Sequence, residues 1–355
     1  MRKWSGCLVL VWLLASASTS AAAGWEFGEK GKRYMKLSTR FQFRYTAFDD
    51  SNVDENSFRI RRMRFKMEGD AEPWLKYELQ LDGDTTISGS TPDRIRIRDI
   101  NLGMRVDKAG KVWFKAGQFK APFSGEELTS SSSLFGIDRA QLNRFVPARQ
   151  IGAQIGSSTK TDDLYMGSEN KYDWAVGVFN GNGVNQTRND NNSTLVAARF
   201  SLHPNEYYTV GANVVTSEDS ASTGNSVFGV NFDGRRNLYG FDGGLYYGAF
   251  SVYGEYLKGS YDPKDASAPD RDVHGAFIQP GYYVVPGKWQ VWYRYDAIDP
   301  DENFDDVNDS TWHWIGVNYF ISGHDYKVQA AYVSKREDVN SIDNDTFLIQ
   351  TQIQF

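Results

Sequence analysis

The chain has 355 residues, with 39 Lys plus Arg against 45 Asp plus Glu, and 40% of it is apolar. Its 10 Trp, 20 Tyr and 22 Phe are too many large buriable side chains for a solvated coil, which excludes disorder. Beyond residue 15 no apolar run approaches the ~20 residues a spanning helix needs, so a helical membrane bundle is excluded, and 33 glycines point to strands and tight turns.

Residues 1–23 read as a secretory signal peptide: Arg2 and Lys3, an apolar stretch from Leu8 to Leu14, then Ala21-Ala22-Ala23. Cys7 is the only cysteine, so a chain beginning at Gly24 has no disulfide, thiolate ligand or cysteine nucleophile. It carries 37 basic and 45 acidic residues, a charge of −8.

The rest repeats one pattern. Met35, Leu37, Phe41, Phe43 and Tyr45 alternate with Lys36, Ser38, Arg40, Gln42 and Arg44. Side chains of a strand point alternately to opposite faces, so this is an apolar face backed by a polar one. Leu75, Tyr77, Leu79 and Leu81 alternate likewise with Lys76, Glu78, Gln80 and Asp82. Near the end, Val291, Tyr293 and Tyr295 do the same, with Trp292 an exception on the polar face, and Phe347 to Phe355 close the chain. The pattern predicts sixteen strands, at 33–48, 57–69, 73–83, 94–106, 111–120, 149–157, 171–180, 194–202, 206–216, 237–247, 249–259, 272–285, 288–297, 310–321, 325–334 and 345–355. Each is near the ~10 residues of a tilted membrane strand.

Short turns (Asp107–Gly110, His203–Asn205, Val285–Lys288, Ser322–Asp325) separate long polar links at Gly181–Ser193, Ser217–Arg236, Lys258–Arg271, Ala297–Asp309 and Ser334–Asn344. That asymmetry suits a transmembrane antiparallel β-barrel, all-β, in residues 24–355; a soluble sandwich seldom needs sixteen strands in a short–long rhythm. Ser157–Asn170 breaks the rhythm, implying a missed strand pair or a long turn. Phase switches in 57–69 and 94–106 imply two β-bulges, leaving the facing of Arg59, Arg61 and Arg98 open.

From Gly24 to Gln150 basic residues exceed acidic ones by 5, whereas from Ile151 onward acids exceed bases by 13. In the first part, Lys36, Arg40, Arg44, Arg62, Arg64, Lys66, Lys76, Arg94, Arg96 and Arg98 recur opposite the apolar face, where a barrel has its lumen. Basic rings there favour anions over cations. Glu68, Glu78, Asp82 and Asp99 share that face, so simple pairing is the competing reading. The link at 121–148, with Leu128, Leu134, Phe135, Ile137 and Phe145, is too apolar for an outside loop. It is expected to fold inward as a constriction, with Glu126, Glu127, Ser130 and Arg139 as its polar side chains, or else to act as a plug.

Phe58-Arg59-Ile60-Arg61-Arg62, Gly117-Gln118-Phe119-Lys120-Ala121-Pro122-Phe123, Glu127-Leu128-Thr129-Ser130-Ser131, Phe179-Asn180-Gly181 and Ile315–Phe320 followed by Gly323-His324-Asp325 resemble the phosphate-selective porin family, porins O and P. The resemblance implies a trimeric, sixteen-stranded outer-membrane channel, set in lipid and lipopolysaccharide, with an inward loop and small anions as permeants. By position it puts Arg40, Arg61, Arg62, Lys76 and Asp99 at the lumen or neck. Two departures point to a broader, weakly anion-preferring pore. Glu127 stands where selective members carry lysine, and the link Ser217–Arg236 has only Arg235 and Arg236 instead of a run of arginines.

No catalytic residue, metal site, cofactor or nucleic-acid interface is expected. His203, His274, His313 and His324 lack ligand spacing and are expected in solvated loops or turns, and the Asp299, Asp301, Asn303 run has Phe304 where a calcium loop needs glycine. The alternative to a channel is a plugged barrel that serves as a structural or partner-binding scaffold.

Overall fold

The protein is described by a computed structural model covering residues 24–49, 56–84, 94–158, 170–181, 183–186, 188–220, 226–227, 230–303, 309–339 and 344–355. The expected leader, 1–23, lies outside the described residues. A short strand β1 (Trp25–Gly28) precedes β2 (Tyr34–Asp49), β3 (Ser57–Glu72), β4 (Leu75–Asp84), β5 (Arg94–Arg105) and β6 (Trp113–Lys120). After the 121–148 loop come β7 (Arg149–Gly156), β8 (Tyr172–Phe179), β9 (Leu195–Asn205) and β10 (Tyr208–Asp219). A two-stranded ribbon, β11 (Ser226–Val227) with β12 (Val230–Asn231), lies in the next link. Then follow β13 (Gly234–Tyr247), β14 (Phe250–Pro263), β15 (Arg271–Val285) and β16 (Trp289–Asp299). The last three are β17 (Ser310–Ser322), β18 (Tyr326–Glu337) and β19 (Asp345–Gln354).

Sixteen of these strands, all but β1, β11 and β12, pair antiparallel with their neighbours, and β19 pairs back onto β2 with Gln354 opposite Arg40 and Asp345 opposite Asp49. The sheet is a closed barrel. Every strand of the expected set is present, and β7 pairs directly with β8, so no barrel strand is inserted between them; most of the 157–170 link lies outside the described residues. Several strands run further toward the long links than the sequence suggests; β14 reaches Pro263 and β13 begins at Gly234. Beyond the lipid the backbone ladder continues while the apolar alternation that marks a strand stops.

Both expected bulges exist. Arg62 lies opposite Gln42 and Ile60 opposite Phe43, so Arg61 is the extra residue; Asp99 lies opposite Gln80 and Ile97 opposite Leu81, so Arg98 is the other. A bulge re-aims side chains, and it sets Arg61 beside Arg62 and Arg98 beside Asp99 on the lumen side. Arg59, in register with Arg44, shares that face. The histidines differ from expectation: His274 and His313 sit within β15 and β17, His203 within β9, and only His324 in a turn. His324 is itself half-buried between Phe320 and Phe135. Polar partners explain the strand positions, such as the Tyr293 hydroxyl 2.6 Å from His313 Nδ1 and Glu302 3.0 Å from His274.

Trp292 faces the lumen because the loop offers it Ile137; with Trp314 they form a buried cluster. Its ring lies over Gly316, where an added Cβ would meet it at 2.3 Å. Gly316→Ala is therefore expected to displace the ring and cost about 1–3 kcal/mol of stability, read as an earlier midpoint in urea unfolding of the detergent-folded barrel.

Candidate functional site

The 121–148 loop enters the barrel. Its first turn, α1 (Gly125–Leu128), is fully buried and capped by Ser124, whose hydroxyl accepts from the Glu127 N–H at 3.1 Å. Phe123, Leu128, Leu142 and Phe145 pack against lumen-facing Phe179, Leu195, Leu238, Leu257 and Phe277. Strands β8 to β15 are thus apolar on both faces over part of their length, with buried ion pairs such as Arg199–Asp242 and Arg236–Asp219 on the remainder of that inner face. At roughly 1.5–3 kcal/mol for each fully buried large side chain, the apolar contact fixes the loop's seat.

The other half of the lumen is polar. A cavity of about 650 Å³ runs along β2 to β6, bounded by Ser130, Ser131 and Arg139 of the loop and by Arg40, Arg64, Arg98 and Arg149. Loop carbonyls that enter a barrel need donors, and the wall supplies them. Lys120 Nζ donates to the carbonyls of Glu127, Leu128 and Thr129, Lys327 Nζ to Leu134 at 2.9 Å, and Gln329 and Asn318 to Phe135 at 3.1 and 2.9 Å. Arg139 returns to its own loop, donating to Glu126, Glu127 and Thr129 carbonyls.

Carboxylates fasten the rest. Glu126 pairs with Arg294 at 2.8 Å and accepts the Ala140 N–H at 2.7 Å. Asp138 binds Arg44 at 2.5 Å and Arg61 at 3.5 Å; Glu127 binds Arg139 at 3.0 Å and lies 3.7 Å from Arg149, which Asp99 holds at 3.0 Å. Arg40 and Arg64 both donate to one neutral hydroxyl, Ser131 Oγ, each at 2.8 Å. Arg62, 7% exposed, donates to Gln42 Oε1 at 2.7 Å and has no carboxylate within ion-pair distance among the described residues. Among the described residues, nine cations (Arg40, Arg44, Arg61, Arg62, Arg64, Arg98, Lys120, Arg139, Arg149) thus face four carboxylates (Asp82, Asp99, Glu127, Asp138) at the loop. The local excess is positive.

Of the residues expected from sequence, the structure brings Arg40, Arg44, Arg61, Arg62, Arg64, Asp99, Glu126, Glu127, Ser130 and Arg139 together around the loop. Lys76 lies apart from them, on the cavity wall, with Asp70 at 2.7 Å and the Trp113 ring at 5.5 Å. Arg94 and Arg96 stand opposite Asp84 and Asp82 in register, away from the loop contacts. Sequence reasoning missed Lys120, Ser131, Asp138 and Arg149, all inside or flanking the loop; the Gly117–Phe123 motif and the arginine that ends the loop were the available signals.

A family model, phosphate-selective porin O and P, matches residues 35–355. The chain belongs to that family. It is 25% identical to Porin O of Pseudomonas aeruginosa across 90% of this chain and 88% of that one. Among solved structures it resembles an anion-selective porin from Comamonas acidovorans (TM-score 0.64, 12% identity, 91% of this chain, 100% of that). It also resembles the trimer form of OmpT from Vibrio cholerae (TM-score 0.63, 13% identity, 91% and 100%). This porin of the bacterial outer membrane therefore has its polar site where the loop narrows the lumen.

Burial opposes charge on Glu127, but Arg139, Lys120, Arg149 and Arg98 outweigh it and hold its carboxyl down at about 2. The same balance, dominated after burial by Arg44, holds Asp138 well below the usual carboxylate range. A depressed carboxyl contributes stability above its ordinary pKa and loses it as pH falls through the lowered value. Glu127 should therefore hold Arg139 and Arg149 unchanged from pH 7 to 4, releasing them only near pH 2. In KCl-gradient measurements on bilayers at pH 7, Glu127→Gln is expected to raise anion preference above that of the wild type.

Proposed function

We propose that this porin is a passive channel for small hydrophilic solutes that prefers anions, with the basic wall and the inward loop setting charge and size selection. The observation that carries this reading is the positive excess at the loop, on the side of the lumen that the loop leaves open. One uncompensated charge acts on an ion ~8 Å away with about 0.5 kcal/mol in water, cut about threefold across a Debye length. Five such charges amount to about 1 kcal/mol, roughly a fivefold preference: enough to bias passage without trapping the permeant. Arginines also offer planar, paired donors to oxyanions such as phosphate and carboxylates. No chemical step is assigned to any residue.

A trimer fits the outer surface. The exposed large side chains of β2–β5 are Phe, Ile, Met and Leu, among them Phe58, Ile95, Ile100 and Leu102. Exposed tyrosines, which suit the lipid headgroup zone, gather from β10 onward, at Tyr208, Tyr247, Tyr282 and Tyr295. The β2–β5 side is accordingly the face for neighbouring subunits, and the tyrosine-bearing side the one for lipid and lipopolysaccharide.

Stable conductance steps in planar bilayers are expected, whereas a scaffold barrel gives none. The reversal potential in a KCl gradient should show anion preference, and Arg62→Ala should lower the anion-to-cation permeability ratio by roughly 1.4- to 2-fold. Cation selectivity of the wild type would refute the proposal. Each insertion should close in three equal steps; single-step closure would contradict the trimer.

A further inference from the structure

Barrel strand β19 runs out against the middle of β2: Gln354 lies opposite Arg40, and Phe355 exchanges two backbone hydrogen bonds with Thr39. Below that point the edge of β2 at Tyr34–Leu37 would be bare. β1 takes the place, with Trp25 opposite Leu37 and Gly28 opposite Tyr34, and the Trp25 ring meets Phe355 edge-on at 5.7 Å. The N-terminal strand therefore continues the column of the C-terminal one.

The turn between β1 and β2 is built to hold a position. Glu29 and Arg33 close it through backbone bonds, and Gly31, at φ 79°, donates its N–H to Asp70 Oδ2 of β3 at 2.9 Å. Glu26, Lys30 and Gly31 line the same cavity as Ser130, Ser131, Arg40 and Arg64. Lys30 is 3.5 Å from Glu26 and lies over the Tyr34 ring at 5.2 Å, yet its side chain is 69% exposed. This end of the barrel carries the tight turns and, in porins, faces the periplasm.

Charges along this part of the cavity are balanced: Lys30, Lys36, Lys66 and Lys76 line it with Glu26, Glu68, Asp70 and Glu78, and Lys66, Lys76 and Lys30 are ion-paired. An ion leaving the arginine constriction thus passes from a strongly positive zone into a compensated one. We infer that the N-terminal hairpin forms the periplasmic lip of the permeation path, and that Lys30 and Glu26 are a second set of solute-sorting charges. The inference rests on the channel reading above.

The chain beyond residue 23 contains no cysteine, so single cysteines report cleanly. Lys30→Cys and Glu26→Cys channels would be exposed, from the tight-turn side, to a bulky anionic methanethiosulfonate during single-channel recording. A stepwise conductance loss of about one-fifth or more is expected, together with a lower anion preference. Lys32→Cys, whose side chain does not line the cavity, should be labelled without a conductance change. Complete labelling at Lys30 and Glu26 with unchanged conductance would overturn the inference while leaving the channel intact; absence of conductance from the wild type would instead overturn the channel reading and this inference with it.

Discussion

In lipid no water is available to satisfy a backbone N–H or carbonyl, and each one left open costs several kcal/mol. That constraint organises the whole chain. Sixteen strands must close, β19 must return to β2, and the seam must not leave a bare edge, which is why a four-residue strand at the start of the chain is seated beneath Phe355. Closure also dictates which residues go where: the outer face has to be apolar, so any polar chemistry is confined to the lumen or to the ends.

Inside the lumen the same demand recurs on a smaller scale. A loop of nearly thirty residues carries its own carbonyls into a space that is only partly wet. The sequence answers with Lys120, Lys327, Arg139 and a belt of amides, each donating to a loop carbonyl. On the far side Phe123, Leu128 and Leu142 lie in an apolar seat, and the N–H groups of Ser124, Glu126 and Gln141 donate to Asn213, Glu255 and Asp296 of the wall. The asymmetry of the lumen follows from this division of labour, and solutes are left only the side where charge was needed anyway. Anchoring therefore falls to residues that the proposed channel would also use for selection: Arg44 and Arg61 both grip Asp138.

The outer framework was legible in the sequence because period-two alternation is an obligatory consequence of one face in lipid and one in water. The bulges were legible too, since a single extra residue inverts the phase of all that follows; Ile97 to Ile100 shows it plainly. What did not show was the apolar inner face of β8 to β15. Ala175, Ala197 and Val215 read as weak alternation, and nothing local to those strands says that a loop fifty residues away will cover them. For the same reason Asp138 and Ser131 escaped notice: their importance depends on which wall arginines the folded loop reaches, a non-local fact. Arg96 shares its alternation with the loop-facing arginines but, opposite Asp82 in β4, makes none of the loop contacts described above. His203 was misplaced because β9 runs on past the expected 194–202, whereas His274 and His313 lie inside strands that the alternation had already marked and are met there by Glu302 and Tyr293.

If the channel passes anions as proposed, four carboxylates set among nine cations around the inward loop follow from what conduction requires. A bare cluster of arginines would bind an oxyanion tightly and release it slowly; conduction needs attraction weak enough to let the ion leave. Asp99, Asp138, Glu127 and Asp82 occupy donors of Arg149, Arg44, Arg61, Arg139 and Arg64, leaving Arg62 with a neutral partner and one serine hydroxyl between Arg40 and Arg64. An arriving anion can exchange places with that hydroxyl at little cost, whereas it cannot displace a buried carboxylate, whose removal would leave a cation unpaired. On the proposed reading, Glu127, at a position where the family resemblance leads one to expect a lysine, would shift the balance further toward passage and away from retention.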